Sequence, residues 1–339
     1  MADSQPQNPH TEEKPKTVLI FAGATTPGFE KKFSDTAKRD GFTAIEFLNV
    51  PDGPFADPKV ELELEIAENV CNIYEQRLAD FLDLFRKNVN SLSWRDQQTS
   101  LEIKTIHHLC DRIIHIPAHV LMLHMEDPVY SYIDCASLNR SLFETAVNCL
   151  YLLQDKTNRA FASLISKSID EDIKRNNELL KWISHKDPGI AAGAAQQRPV
   201  KTHDNKRREL LHGIGFSGNP PPFPDIRARC DKLGDTWQYL YADRYKELCS
   251  WSHIHLGQIF SSPSHAIASP KDLAHAVNTG TVMLYLAFHF VYLFLHSITE
   301  NDQTTQEEIT KFYVKLVSDI SPILAKTGTF TAPSFTVEK

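Results

Sequence analysis

The chain is poor in the signals that usually identify an enzyme. Its six cysteines (Cys71, Cys110, Cys135, Cys149, Cys230 and Cys249) are scattered, and no two form a C-x-x-C pair. The cysteines read as reduced, mostly buried thiols of a protein in a reducing, cytoplasmic compartment. No H-E-x-x-H, nucleophile elbow, kinase signature or dinucleotide fingerprint is present. There is no excess of basic residues: the net charge is −7 and the pI about 6.1, which argues against broad, non-specific nucleic-acid binding. The first 16 residues contain no apolar run, so a signal peptide is not expected.

One further absence points the other way. Leu273 to Thr299 holds no Asp, Glu, Lys or Arg, and this stretch is long enough to span a bilayer. His289 would sit near its middle and no basic cluster flanks it, so the expected role is the central core helix of a helical protein, with no membrane contact.

The remainder predicts an all-α chain: a multi-helix bundle with a small N-terminal β-containing appendage. The appendage occupies 1–56, beginning disordered and carrying two strand-like runs, Thr17 to Ala22 and Phe42 to Leu48, with a short helix between them. The loop Gly23 to Gly28 has phosphate-loop spacing, but Phe29 and Glu30 stand where Lys and Ser/Thr are required, so no NTP site is expected. The helical domain covers 57–326, and 327–339 reads as a flexible tail. Within the domain, 3.6-residue spacing predicts helices over Pro58 to Asn90, Thr99 to Met125 with a kink at Pro117, Val129 to Gln154 and Asn158 to His185. Further helices are predicted over Asp225 to Phe260, Pro270 to Ile298 and Thr305 to Lys326. Between Lys186 and Pro224 the pattern breaks into a long basic loop, with at most a short helix at Arg207 to His212.

The segment Val129 to Gln154 is the most informative. Its circumference is nearly all apolar, as in a buried helix. Ser137, Arg140, Ser141, Glu144 and Asn148 nevertheless recur every three or four residues as one polar stripe. A buried Arg and Glu are costly unless paired, so Arg140 and Glu144 are expected to meet each other and polar groups of a distant helix. The expected donor is Tyr245 with Cys249 and His253, which share a face; His255 is turned away by roughly 200° on a regular helix.

These residues carry a resemblance. The Arg140 to Glu144 pattern (RSLFE), with Tyr241, Tyr245 and His253 downstream, resembles a bacterial family of all-helical proteins of unknown function. That family has an Arg-x-x-x-Glu helix and a Tyr-x(3)-Tyr-x(3)-Ser-x(3)-His segment; Cys249 departs from its Ser. The resemblance covers roughly Pro58 to Ile298 and implies a helical fold with a shared polar centre, but no activity.

Three functional readings follow. In the first, the protein is a metal-independent RNase-like or defence-related effector, resembling the helical nucleotide-binding superfamily of prokaryotes and higher eukaryotes. Arg140 would hold a phosphate, His253 would move a proton, and Glu144 with Tyr245 would complete the catalytic set. Lys206, Arg207, Arg208 and His212 would add a basic phosphate-binding patch, and Arg207/His212 and Arg112/His119 match that superfamily's Arg–His spacing. In the second, the protein is a non-catalytic binding or scaffold protein with a protein partner, and the cluster only fixes helix register. In the third, His115 and His119, at i, i+4 spacing, hold a metal; Pro117 between them argues against it. The expectation is no metal and no cofactor, with RNA as the leading partner.

Overall fold

The computed structural model describes residues 57–90, 92, 98–186, 200–252 and 269–327, together with the backbone of two five-residue strands. The expected loop from Gly23 to Gly28, the helix following it, residues His253 and His255, and the C-terminal tail beyond Thr327 lie outside the described residues. Of the expected appendage, only the parallel pairing of β1 (Val18–Ala22) with β2 (Ala44–Leu48) is placed. The rest of the described chain is helical, and the all-α architecture rests on it.

Helix α1 (Pro58–Asn90) leads into α2 (Ser100–Glu126), then α3 (Tyr132–Gln154) and α4 (Arg159–Lys186). After α5 (Val200–Gly213) come the short α6 (Ile226–Leu233) and α7 (Asp235–Leu240), a π-helical turn (Tyr241–Tyr245) and α8 (Lys246–Ser252). The long α9 (Pro270–Ile298) and α10 (Gln303–Leu324) complete the domain. The starts are chemically fixed. Thr99 accepts from the Glu102 amide while Glu102 reaches back to the Thr99 amide, a capping box, and Ser269 with Asp272 repeats it at α9. Helix α2 runs as one element through Pro117. The basic stretch expected as loop contains α5, a 14-residue helix; its polar composition leaves no apolar stripe for periodicity to detect.

The core forms around α9, which packs against α1, α2, α3 and α10. By length and composition α9 could cross a membrane, but 72% of its most apolar stretch is buried inside the bundle. Phe288 lies tilted against Tyr74 and Phe81, Phe294 stacks on Phe85, and Phe290 lies tilted against Phe143, so α9 meets aromatic rings of both α1 and α3. Several buried polar groups tie the helices together. Asn139 donates its amide to the carbonyls of Cys135 and Met283, at 3.0 and 2.8 Å, joining α3 to α9. The His289 ring meets the Tyr313 hydroxyl of α10 at 2.5 Å. Ion pairs Lys87–Glu308 and Arg77–Asp319 hold α10 along α1.

His124 of α2 fits against α9 where Gly280 leaves room: its Nε2 is 3.0 Å from the Thr281 hydroxyl. A Cβ on Gly280 would lie 2.6 Å from the imidazole. Gly280→Ala is therefore expected to destabilise the fold by about 1–3 kcal/mol, overriding the helix-propensity gain of alanine; an unchanged urea midpoint would refute this contact. Burial lowers the pKa of His124 and of His289 to about 4, with the Arg244 charge adding to the effect at His289. Both rings are thus neutral in the folded protein, while their ordinary value is 6.5. Their contribution is complete above pH 6.5 and is lost as pH falls toward 4, at about 1.4 kcal/mol per pH unit for each ring. Urea unfolding at pH 7 and pH 5 measures this; equal stabilities would contradict it.

Candidate functional site

Helix α3 is apolar on most of its circumference: Leu142, Phe143, Ala146, Val147 and Leu150 are buried. The polar stripe predicted along it exists, and it is the seam where the core ends. Ser137 is exposed, and Arg140, Ser141, Glu144 and Asn148 are half-buried. Arg140 Nε donates to Glu144 Oε1 at 3.1 Å, with 28% and 39% of the two side chains exposed. The expectation of a pair withdrawn from water is corrected here. The short elements α6 and α8 cover only part of the seam, so the charged tips keep contact with solvent and escape the full desolvation cost. Ser141 is tied to α2 through Arg112 Nη2, at 3.0 Å.

The partner from the distant segment is Tyr245. Its hydroxyl donates to Glu144 Oε1 at 2.6 Å, and its ring stacks on Phe143 at 5.1 Å and on Tyr241 at 5.4 Å. The π-turn is what brings it there. Trp237, Leu240, Tyr245 and Leu248 are the buried positions of this stretch, a spacing of three, five and three. A regular α-helix would point residue 244 inward, because 240 and 244 are one turn apart. The extra residue of the π-turn instead turns Tyr245 to Glu144 and leaves Arg244 outside, paired with Asp243 and Glu247. Such single π-turns are frequent at functional sites. Burial raises the Tyr245 pKa well above the usual tyrosine range, and the hydrogen bond to Glu144 reinforces it; the hydroxyl stays a donor. Burial works to lower the Arg140 pKa, but the Glu144 hydrogen bond, Cys249 and Tyr245 outweigh it, leaving it raised.

A second guanidinium, absent from the sequence reading, lies beside this centre. Arg229 of α6 is only 6% exposed. It donates Nε to the Asp225 carbonyl at 3.1 Å and lies over the Phe223 ring at 4.8 Å. Burial lowers its pKa against the opposing pull of Cys230, Glu144 and Tyr245. The signal was available: Ile226, Arg229, Cys230 and Leu233 share one face of a short helix, and an arginine on an apolar face asks for a partner.

The structure therefore brings together Arg140, Glu144 and Tyr245 and adds Arg229. His253 lies outside the described residues. The basic residues Lys206, Arg207, Arg208 and His212 belong to α5, which packs on α4. There Arg207 pairs with Asp170 and Arg208 bonds Asn205, while Lys206 and His212 are exposed. His115 and His119 are both exposed, and among the described residues no group of three or more His, Cys, Asp or Glu is arranged to hold a metal.

The Tyr245–Glu144 bond makes a direct prediction. Tyr245→Phe keeps the ring stack and removes only the hydroxyl, so stability should fall by about 1–2 kcal/mol in urea unfolding. In a Glu144→Ala background the same change should cost almost nothing; equal losses in both backgrounds would show the bond to be energetically idle.

No curated protein and no solved structure matches the chain. The resemblance to a helical family without known activity has a counterpart, over a shorter stretch than expected and one that includes Arg140, Glu144, Arg229 and Tyr245. Residues 104–263 match the model of a family described as "Family of unknown function (DUF5677)".

Proposed function

We propose that the Arg140–Glu144–Tyr245 centre acts on RNA, as a metal-independent RNase-like effector of the cytoplasm. The observation that supports this most is a guanidinium fixed at Nε by a carboxylate and placed at the solvent-reached seam of an otherwise apolar helix. Fixing one edge of Arg140 orients its plane, which is the preorganisation a phosphate-binding arginine needs. Tyr245 shares the same carboxylate and holds it in place. In this reading His253 moves the proton between the ribose hydroxyl and the leaving oxygen, the role for which an imidazole is suited near neutral pH.

A second reading, a non-catalytic helical binding or scaffold protein, is favoured by the double use of Glu144 Oε1. One oxygen accepts from its own helix and from a residue 101 positions away, an arrangement suited to fixing helix register. RNA incubation separates the two. On the first reading the wild-type protein cleaves RNA, and Arg140→Ala and His253→Ala, each shown by circular dichroism to be folded, lose at least about a hundredfold in rate. Cleavage that persists in both folded variants removes this centre from the chemistry; a wild type without cleavage leaves the scaffold reading.

A further inference from the structure

We propose that Arg229 and Asn148 form a ribonucleotide subsite beside the Arg140–Glu144–Tyr245 centre, with Arg229 holding a backbone phosphate and the Asn148 carbonyl accepting from the neighbouring ribose 2′-hydroxyl. The subsite deepens the RNA reading and rests on it for the identity of its ligand.

The argument starts from charge. Arg229 is more than nine-tenths buried, and its Nη1 has no hydrogen-bond partner among the described residues. Its Nε donates to the backbone carbonyl of Asp225 at its own helix start, a neutral acceptor. Glu144 acts on it electrostatically, but Oε1 of Glu144 already serves Arg140 and Tyr245. The Asp225 carboxylate also acts on it but is engaged in capping the Ala228 amide, so Arg229 and Arg140 both lean on Glu144, and a buried cation in that position is stabilised by a further anion. Lys232 over the Tyr151 ring at 5.2 Å and Lys167 over the Phe223 ring at 5.4 Å raise the local positive potential.

The geometry then narrows the ligand. Helix α6 packs along α3. Glu144, Asn148 and Tyr151 follow at i, i+4 and i+7, so they form one stripe of α3. Both ends of that stripe are linked to Arg229: Glu144 through its charge, and Tyr151 through Phe223, which it meets edge-on at 5.7 Å while Arg229 covers the same ring. Asn148 lies between them, and its Oδ1 is buried without a hydrogen-bond partner among the described residues. Among the described residues the seam therefore offers an unanswered cationic donor on α6 and an unanswered neutral acceptor on the α3 stripe it packs along. A carboxylate satisfies only the first. A ribonucleotide satisfies both, since its phosphate accepts and its 2′-hydroxyl donates, and that hydroxyl is what distinguishes RNA from DNA.

The test is a titration of the full chain with a fluorescent RNA octamer and the matching DNA octamer, read by anisotropy, with inorganic phosphate as competitor. The wild type should bind RNA about tenfold more tightly than DNA, the scale of one hydrogen bond, and phosphate should compete with both. Arg229→Gln should weaken both oligonucleotides at least tenfold. Asn148→Ala should bring RNA down to the DNA level and leave DNA unchanged. Should Arg229→Gln fail to fold, Arg229→Lys keeps the charge without the planar fork and is expected to lose at least threefold for both. Wild-type-like RNA binding by a folded Arg229 variant, an RNA preference that survives Asn148→Ala, or a wild type that binds neither oligonucleotide overturns the subsite. The two proposals fail separately. Cleavage indifferent to Arg229 sinks the subsite alone, whereas Arg229-dependent binding without cleavage sinks the RNase reading alone.

Discussion

A single carboxylate oxygen, Oε1 of Glu144, joins the two halves of the helical domain that meet at the candidate centre. From one side it accepts the Arg140 guanidinium one turn back on the same helix, and from the other the Tyr245 hydroxyl, 2.6 Å away on the π-turn. A π-turn is a costly backbone choice, sustained only where surrounding contacts favour it. Here the returns are visible: Tyr245 reaches Glu144 and stacks on Phe143, and Leu248 stays buried in phase with Trp237. Polar bonding and apolar packing thus favour the same local departure from α-helical geometry.

Much of the helical framework could be read from residue spacing. The limits of α1 and α9 follow from Pro58, Asn90, Pro270 and Ile298, and the pairing of Arg140 with Glu144 follows from their four-residue separation. Tyr245 was legible as a partner because it is a polar-tipped ring in an apolar stretch. Other features were hidden for identifiable reasons. Helix α5 has too few apolar residues to show a stripe. The π-turn escapes because a 3.6-residue template has no place for a five-residue interval between Leu240 and Tyr245. The depth of the Arg140 pair was misjudged because an apolar circumference shows that neighbours exist, but not where they stop.

Arg229 illustrates a further limit. Its cost is set by what surrounds it in space: the Phe223 ring comes from the preceding loop and the Glu144 charge from the distant α3. Local sequence shows an arginine on the apolar face of a short helix capped by Asp225, but not which distant groups answer it. The histidines show the converse case. His124 and His289 are titratable groups that sequence alone does not place, yet each is absorbed into the core by a hydroxyl, from Thr281 and Tyr313 respectively.

The amide of Asn139 has a mechanical consequence. By donating to the main chain of both α3 and α9 it bolts the two most deeply embedded rods of the bundle together, one residue before Arg140. Sliding α3 by one helical step of about 5.4 Å would tear that bolt out and leave a naked amide in a dry interior. Arg140 and Glu144 therefore stand on a stationary anvil. Any opening or closing over them has to be performed by the short pieces from α6 to α8.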